Sequence, residues 1–374
     1  MKLFGRRSGR EESRPALARG TMAFAPGAAW PPSYETQVRE GYCRNPVAQR
    51  AVRLVAEGVG GAPLVASDPR LVALATGRSG GQVLTEVAAA QLLLHGNAYI
   101  QVLQDADGAV AELYALRPER VSVELDAGGW PAAYRYKVGE RTLRLIADPV
   151  RPEIVHLRCF NPVDDHYGLG CLGAAAGAVA IHNAAGDWNK ALLDNAARPS
   201  GALVYDPGDG STLSPDQFQR LRTEMDASFS GAANAGRPML LEGGLKWQAL
   251  GLSPADMDFA GTRGAAAREI ALAFGVPPML LGLPGDASYA NYREANRALW
   301  RLAILPVAAT ILTGLAQGLS GWFADAALAV DLDRVPAMAE DRAMLWASVS
   351  AADFLSVEEK RAMVGLGVAP GETA

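Results

Sequence analysis

Apolar positions recur every three or four residues over 45–59 (NPVAQRAVRLVAEGV) and 81–94 (GQVLTEVAAAQLLL). This spacing predicts two amphipathic helices. Asn45 is placed to cap the first and Pro46 to occupy its first turn. The HGN of His95–Asn97 reads as a left-handed stop to the second. The period then falls to two. AYIQVL, the turn DADG (Asp105–Gly108) and VAELYAL predict a hairpin, and VSVEL, AAYRYKV, RTLRLI and EIVHLRCF (Glu153–Phe160) extend a β-rich region. Helical spacing returns over 172–197, through Leu172, Ala176, Val179, Trp188 and Leu192, until the proline of RPSG (Arg198–Gly201) bars continuation.

A compact αβ insertion follows over 202–252. It comprises a strand ALVY, a helix begun by Ser214-Pro215 and reaching Phe229, and two strands, PMLLE and KWQAL. Ser253-Pro254 opens a second long helix over 255–274, and the Gly/Pro-rich GVPPMLLGLPGDAS separates it from a third. Residues 302–324 carry no charge and are long enough to cross a membrane. Yet Pro306, Thr310, Thr313, Gln317 and Ser320 fall on one side, with Leu305, Leu312, Leu315, Leu319, Trp322 and Phe323 on the other. One small-polar face and one apolar face favour a helix packed on protein. Ser356–Glu359 spell a capping box that opens a short final helix.

Composition narrows the function. The 374 residues are 49% apolar and 20% charged, with a net charge of −5, an ordinary globular profile without electrostatic attraction for nucleic acid. The 30 arginines against 5 lysines are not counted as a DNA signal, since coding bias gives the same ratio. Cys43, Cys159 and Cys171 form no C-x-x-C, so neither structural zinc nor a disulfide framework is expected, and a reducing compartment fits. The first 20 residues carry six basic and two acidic side chains and no apolar core. They read as a basic arm and not as a secretory signal.

Gly168, Gly170 and Gly173 spell G-x-G-x-x-G, the pattern of a dinucleotide-binding turn. The context fails. Seven residues separate the preceding strand from Gly168, the following helix is too long, and Asp194, at the proper distance for a ribose contact, lies inside that helix. Helix-starting glycines explain the pattern equally well. Asp164-Asp165-His166 reads as a solvated turn rather than a metal cluster, because adjacent residues seldom converge on one ion. His95, His156 and His182 lie on different elements, without an acid at catalytic spacing. No P-loop or H-E-x-x-H occurs. No catalytic residues, cofactor site or metal site are assigned.

The order of pieces then resembles a family. LLLHGNAYIQVLQDADG (92–108), EIVHLRCFNPVDDHYGLG (153–170), NAARPSGALVY (195–205), LSPDQFQRLRTEM (213–225), GAANAGRPMLLEGGLKWQALGLSPADMDF (231–259), REIALAFGVPPMLLGLPGDASYANYREANRALWRLAILP (268–306) and LSVEEKRAMVGLG (355–367) resemble the portal proteins of tailed double-stranded-DNA bacteriophages. The likeness is to the long-tailed siphophage type, including those of gene transfer agents. Where such portals commonly read Gly-Leu-Ser-Pro-Leu, this chain has Gly168-Leu169-Gly170-Cys171-Leu172, so Gly168, Gly170 and Cys171 stand where the first stem helix starts.

The resemblance implies an α+β portal fold. It divides the chain into a basic arm (1–30), wing (31–170), first stem helix (171–199), αβ clip (200–252), second stem helix (253–275), channel loop (276–290), long wing helix (291–330) and short helical tail (331–374). It implies a non-enzymatic subunit of a dodecameric ring at the capsid vertex of a virion or phage-like particle, assembled in the bacterial cytoplasm. The implied partners are the major capsid protein, the terminase large subunit, head-completion adaptors and duplex DNA passing without sequence-specific binding. No membrane is involved. Pro277, Pro278, Leu283, Pro284, Gly285, Asp286 and Ser288 fall in the channel loop. Asp256 and Asp258 are candidates for negative potential along the bore, since a wall that neutralises phosphates would hold DNA still. Another ring-forming scaffold and a dinucleotide-dependent enzyme are the alternatives.

Overall fold

A computed structural model describes residues 34–194, 201–206, 208, 212–229, 245–249, 258–283 and 289–365. The chain divides into two compact units, Met1–Ala175 with Ala271–Ala374, and Ala176–Ile270.

The first unit opens with α1 (Tyr34–Val38), a π turn (Arg39–Cys43) and α2 (Pro46–Gly60). Asn45 caps α2 as its sequence predicts, its Oδ1 accepting from the Val47 and Ala48 N–H at 3.1 and 3.0 Å. Next come β1 (Leu64–Ala66), α3 (Pro69–Ala75), the ribbon β2 (Arg78–Ser79) and β3 (Gln82–Val83), and α4 (Leu84–His95), which Gly96 ends at φ 78°. The β-rich region holds β4 (Asn97–Gln104), β5 (Val110–Leu116), β6 (Val121–Leu125), β7 (Pro131–Val138), β8 (Arg141–Ile146) and β9 (Ile154–Arg158). They form two antiparallel sheets of order β5-β4-β9 and β6-β7-β8. Tyr99 pairs across β4 with Leu116 and His156, and one core joins Tyr99, Leu116, Val121, Tyr134, Leu145 and Ile154. The short α5 (Cys171–Ala174) ends this stretch.

The second unit contains α6 (Ala176–Asp194), β10 (Gly201–Tyr205), α7 (Pro215–Phe229), β11 (Leu245–Ala249) and most of α8 (Phe259–Ala273). β10 pairs antiparallel with β11. The strand expected at PMLLE lies outside the described residues. The first stem helix does not run unbroken from Leu172, because α5 closes at Ala175 before α6 begins.

The chain returns to the first unit with α9 (Tyr289–Leu299), a second π turn (Trp300–Ile304), α10 (Leu305–Leu319), β12 (Leu328–Val330), α11 (Ala339–Ser350) and α12 (Val357–Met363). Residues 290–319 are long and apolar enough to span a membrane by length and composition, but α10 is packed on protein. A Cβ at Gly314 would collide with the Leu157 side chain and one at Gly318 with Val155, so the helix lies directly on β9. Ala308, Ile311, Leu312, Leu315 and Leu319 are buried. The helix stops at Leu319, eleven residues short of the expected 330. Residues 328–330 instead form β12, which pairs with β1. The basic row Arg293, Arg297 and Arg301 meets the first turn of α11. Arg293 pairs with Glu340 at 3.1 Å, Arg297 with Glu340 and, at 3.8 Å, Asp341, and Arg301 with Asp341 at 4.0 Å. The predicted capping box at Ser356 and Glu359 is formed.

Candidate functional site: the loop before α5, residues 276–283 and the α6–α8 pair

The approach to α5 is built around one buried amide. Asn97, the first residue of β4, is 1% exposed. Its Oδ1 accepts the Gly168 N–H at 2.7 Å and its Nδ2 donates to the Gly168 carbonyl at 3.2 Å. One side chain thus satisfies both backbone groups of a residue 71 positions away, as a strand neighbour would. The Asn97 Oδ1 also meets His156 Nε2 at 2.9 Å, and Tyr134 Oη lies 3.3 Å from His156 Nδ1. An amide oxygen only accepts, so His156 carries its proton on Nε2 and receives the tyrosine hydroxyl on Nδ1. The imidazole stacks on Tyr99 at 4.3 Å. Burial, with Arg158 adding to it, holds His156 neutral down to about pH 3. Burial lowers His95 to about 4.

The glycines of the apparent nucleotide fingerprint are spacers here. A Cβ at Gly168 would collide with the Gly96 carbonyl oxygen, and one at Gly170 would come within 2.7 Å of the Leu94 carbonyl. The Gly168 N–H that a phosphate would need is already bound by Asn97. Gly170 is extended at the N-cap of α5 and supplies no side-chain cap. Cys171 is half-buried, its thiol pushed up by burial. The expected solvated turn at Asp164-Asp165-His166 is only partly solvated. Asp165 is exposed, but Asp164 and His166 are 8% and 4% exposed. The reason is capping: Asp164 Oδ1 accepts the His166 and Tyr167 N–H at 2.7 and 2.8 Å. Among the described residues no three His, Cys, Asp or Glu side chains gather as a metal site. Residues 77–81 also spell G-x-S-x-G, but Ser79 is buried and its Oγ accepts the Ala115 N–H at 2.9 Å.

In the segment expected as the channel loop, Pro277 leads into a 3₁₀ turn, Pro278–Leu281, closed by Gly282 at φ 72°. Leu283 is half-buried and returns its N–H to the Pro278 carbonyl at 3.3 Å. Pro284, Gly285, Asp286 and Ser288 lie outside the described residues, as does Asp256. In the second unit α6 and α8 run antiparallel. Trp188 stacks on Phe259 at 4.3 Å, while Arg263 Nε reaches His182 Nε2 at 3.3 Å. Asp258 is exposed at φ 36°, where its Oδ1 and carbonyl accept the Gly261 and Thr262 N–H, each at 3.0 Å. It therefore caps α8, whatever potential it lends its surroundings.

This arrangement positions backbone and packs helices, and comparison with known proteins agrees. A family profile described as phage portal protein matches residues 46–365. The chain belongs to the phage portal protein family. A chain in the neck of an empty gene transfer agent particle, computed with C6 symmetry, is 48% identical over 92% of this chain and 97% of that one, at a TM-score of 0.70. A chain in the neck of the native particle, computed with C12 symmetry, is 48% identical over 91% and 96%, at 0.69. A protein of Rickettsia felis is 38% identical over 87% of this chain and 88% of its own length. The α+β portal fold expected from sequence is the one observed. Asn97 escaped sequence reading, because nothing local marks an asparagine after a helix-ending glycine as the partner of Gly168. The basic row at 293, 297 and 301 was visible as i, i+4, i+8 spacing, and the acidic pair Glu340-Asp341 as its complement.

Proposed function

We propose that this portal-family chain is one subunit of a closed ring of twelve, set at one capsid vertex of a phage-like particle, through whose channel duplex DNA enters and leaves. The observation that carries this reading is the near full-length match to chains in particle necks. Portal proteins are structural, and the work assigned to this one is geometric. The antiparallel pair α6 and α8 corresponds to the stem, residues 200–252 to the clip, and 276–290 to the channel loop. The remainder of the first unit forms the wing and the tail. The packaging terminase docks on the clip, adaptors replace it after filling, and the major capsid protein surrounds the wing. Asp256, Asp258 and Asp286 contribute negative potential that keeps the phosphate backbone from adhering.

Deleting the gene from a producing cell is expected to yield capsids without necks and without DNA, with filling restored by the wild-type chain. Filled particles from the deletion strain would refute the proposal. Native mass spectrometry of the purified chain is expected to show a species of twelve subunits, and negative-stain images a central hole. Asp→Lys changes at 256, 258 and 286 are expected to slow packaging and make it more salt-dependent. Unchanged packaging would remove these residues from the channel wall.

A further inference from the structure

The loop joining β9 to α5 is inside out. Two of its polar side chains, Asn161 and Asp164, turn inward to tie its own backbone, while Asp165 stays exposed. Asn161 accepts the Val163 N–H at 3.0 Å and donates to the Tyr167 carbonyl at 2.8 Å, Asp164 caps two further amides, Arg158 donates to the Asp165 carbonyl, and Asn97 clasps Gly168. Its apolar side chains are left in water: Phe160 is 85% and Val163 79% exposed. The same loop's Asp165, with Arg158, Asp126, His156, Trp130 and Tyr134, lines a cavity of 440 Å³, and Val150 is 60% exposed in the segment that follows its Pro149 wall. A loop fixed by this many hydrogen bonds presents its apolar groups already ordered, so a partner covering them loses little conformational freedom. Exposed anchors on a loop that also walls a hollow of mixed polar and aromatic lining are the makings of an interface centre.

We infer that this loop and cavity seat the neighbouring copy of the same chain. The inference rests on the ring reading above. Chains 48% identical to this one occur in necks of C6 and C12 symmetry. A cyclic ring needs a heterologous contact in which each subunit offers one surface to the left and a different one to the right. Phe160, Val163 and the hollow form one of those two surfaces.

The test compares the full wild-type chain with Phe160→Asp/Val163→Asp, by native mass spectrometry and by restoration of filled particles in a gene-deleted producer. Both side chains are exposed, so the monomer of the variant is expected to melt with the wild type. The concentration needed for ring formation is expected to rise at least roughly 100-fold, the loss of two buried apolar side chains per contact, and particles are not restored. Should the aspartates lower the monomer melting temperature, Phe160→Ser/Val163→Ser is expected to show the same assembly loss at wild-type stability. A variant that forms rings at the wild-type concentration overturns the assignment, as does one that forms rings and loses only another structural protein. A wild-type chain giving neither rings nor restored particles overturns the ring reading itself, and this inference with it.

Discussion

The two units bury different things. Among the described residues, the first hides large side chains such as Tyr99, Leu84, Leu92, Ile100, Ile311 and Leu315, together with Asn97, whose partners His95 and His156 are half-buried. In the second, the buried apolar side chains are Ala176, Ala178, Val179, Ala185, Ala266, Ala267 and Ile270. Hydrophobic stabilisation scales with the area removed from water, so the first unit has the means to fold by its own core. Alanine-faced helices yield less per residue but allow close approach of a neighbouring backbone. The first unit is equipped to hold its shape by its own core, whereas the second relies on small side chains that let its helices approach closely.

Breaking the first unit from within gives the largest expected effect. Gly168→Ala drives a methyl into the Gly96 carbonyl, and both segments are pinned. A loss of about 4 kcal/mol or more is expected, read as a collapse of the urea midpoint. Asn97→Leu leaves the Gly168 amide and His156 Nε2 buried without partners and is expected to cost about 3 kcal/mol in the same measurement.

Acid should act on the same cluster. His95 and His156 bind protons near pH 6.5 when unfolded but only near 4 and 3 when folded. The unfolded chain therefore holds more protons across that window, and stability is full above pH 6.5 and declines as pH falls towards 4. Carboxylates held low, such as Glu124 beside Arg144 and Arg135, add their own loss only below the ordinary carboxylate range. Melting temperatures at pH 7.5, 6 and 5 should fall in that order, and His156→Gln should flatten the slope.

In the second unit the same measurements should move less. Ile270→Val is expected to cost about 1 kcal/mol. Asp258→Ala, which removes the bond to the Gly261 amide, is expected to cost about 1 kcal/mol or less. A response from either as large as in the first unit would mean that the second carries a comparable core of its own.

Much of the first unit was legible because its elements announce themselves locally. Asn45-Pro46 starts α2, Gly96 stops α4, and the alternation across Asp105–Gly108 folds the hairpin β4–β5. The end of the long helix was not, since residues 320–330 stay largely apolar, Ser320 and Asp325 apart, after α10 closes, and only the pairing of β12 with β1 reveals why. The glycine fingerprint misled in its letters and informed in its context. Gly168 and Gly170 are small because Gly96 and Leu94 pass beneath them, a long-range reason that spacing alone does not carry. The inverted loop was hidden too, since DDH reads as polar and exposed until Asp164 is seen bonding its own backbone.

The π turn at Trp300–Ile304 has a mechanical corollary. There the Leu305 N–H reaches back to the Trp300 carbonyl, five residues away, so the rod holds one residue more than a regular helix of its length would need. Each residue of an α-helix advances the azimuth by about 100°. The extra one fixes the phase between the guanidinium row that grips Glu340 and Asp341 and the glycine seam that lies on β9. Excising Leu302 would rotate one half of the rod against the other and set those two grips at odds.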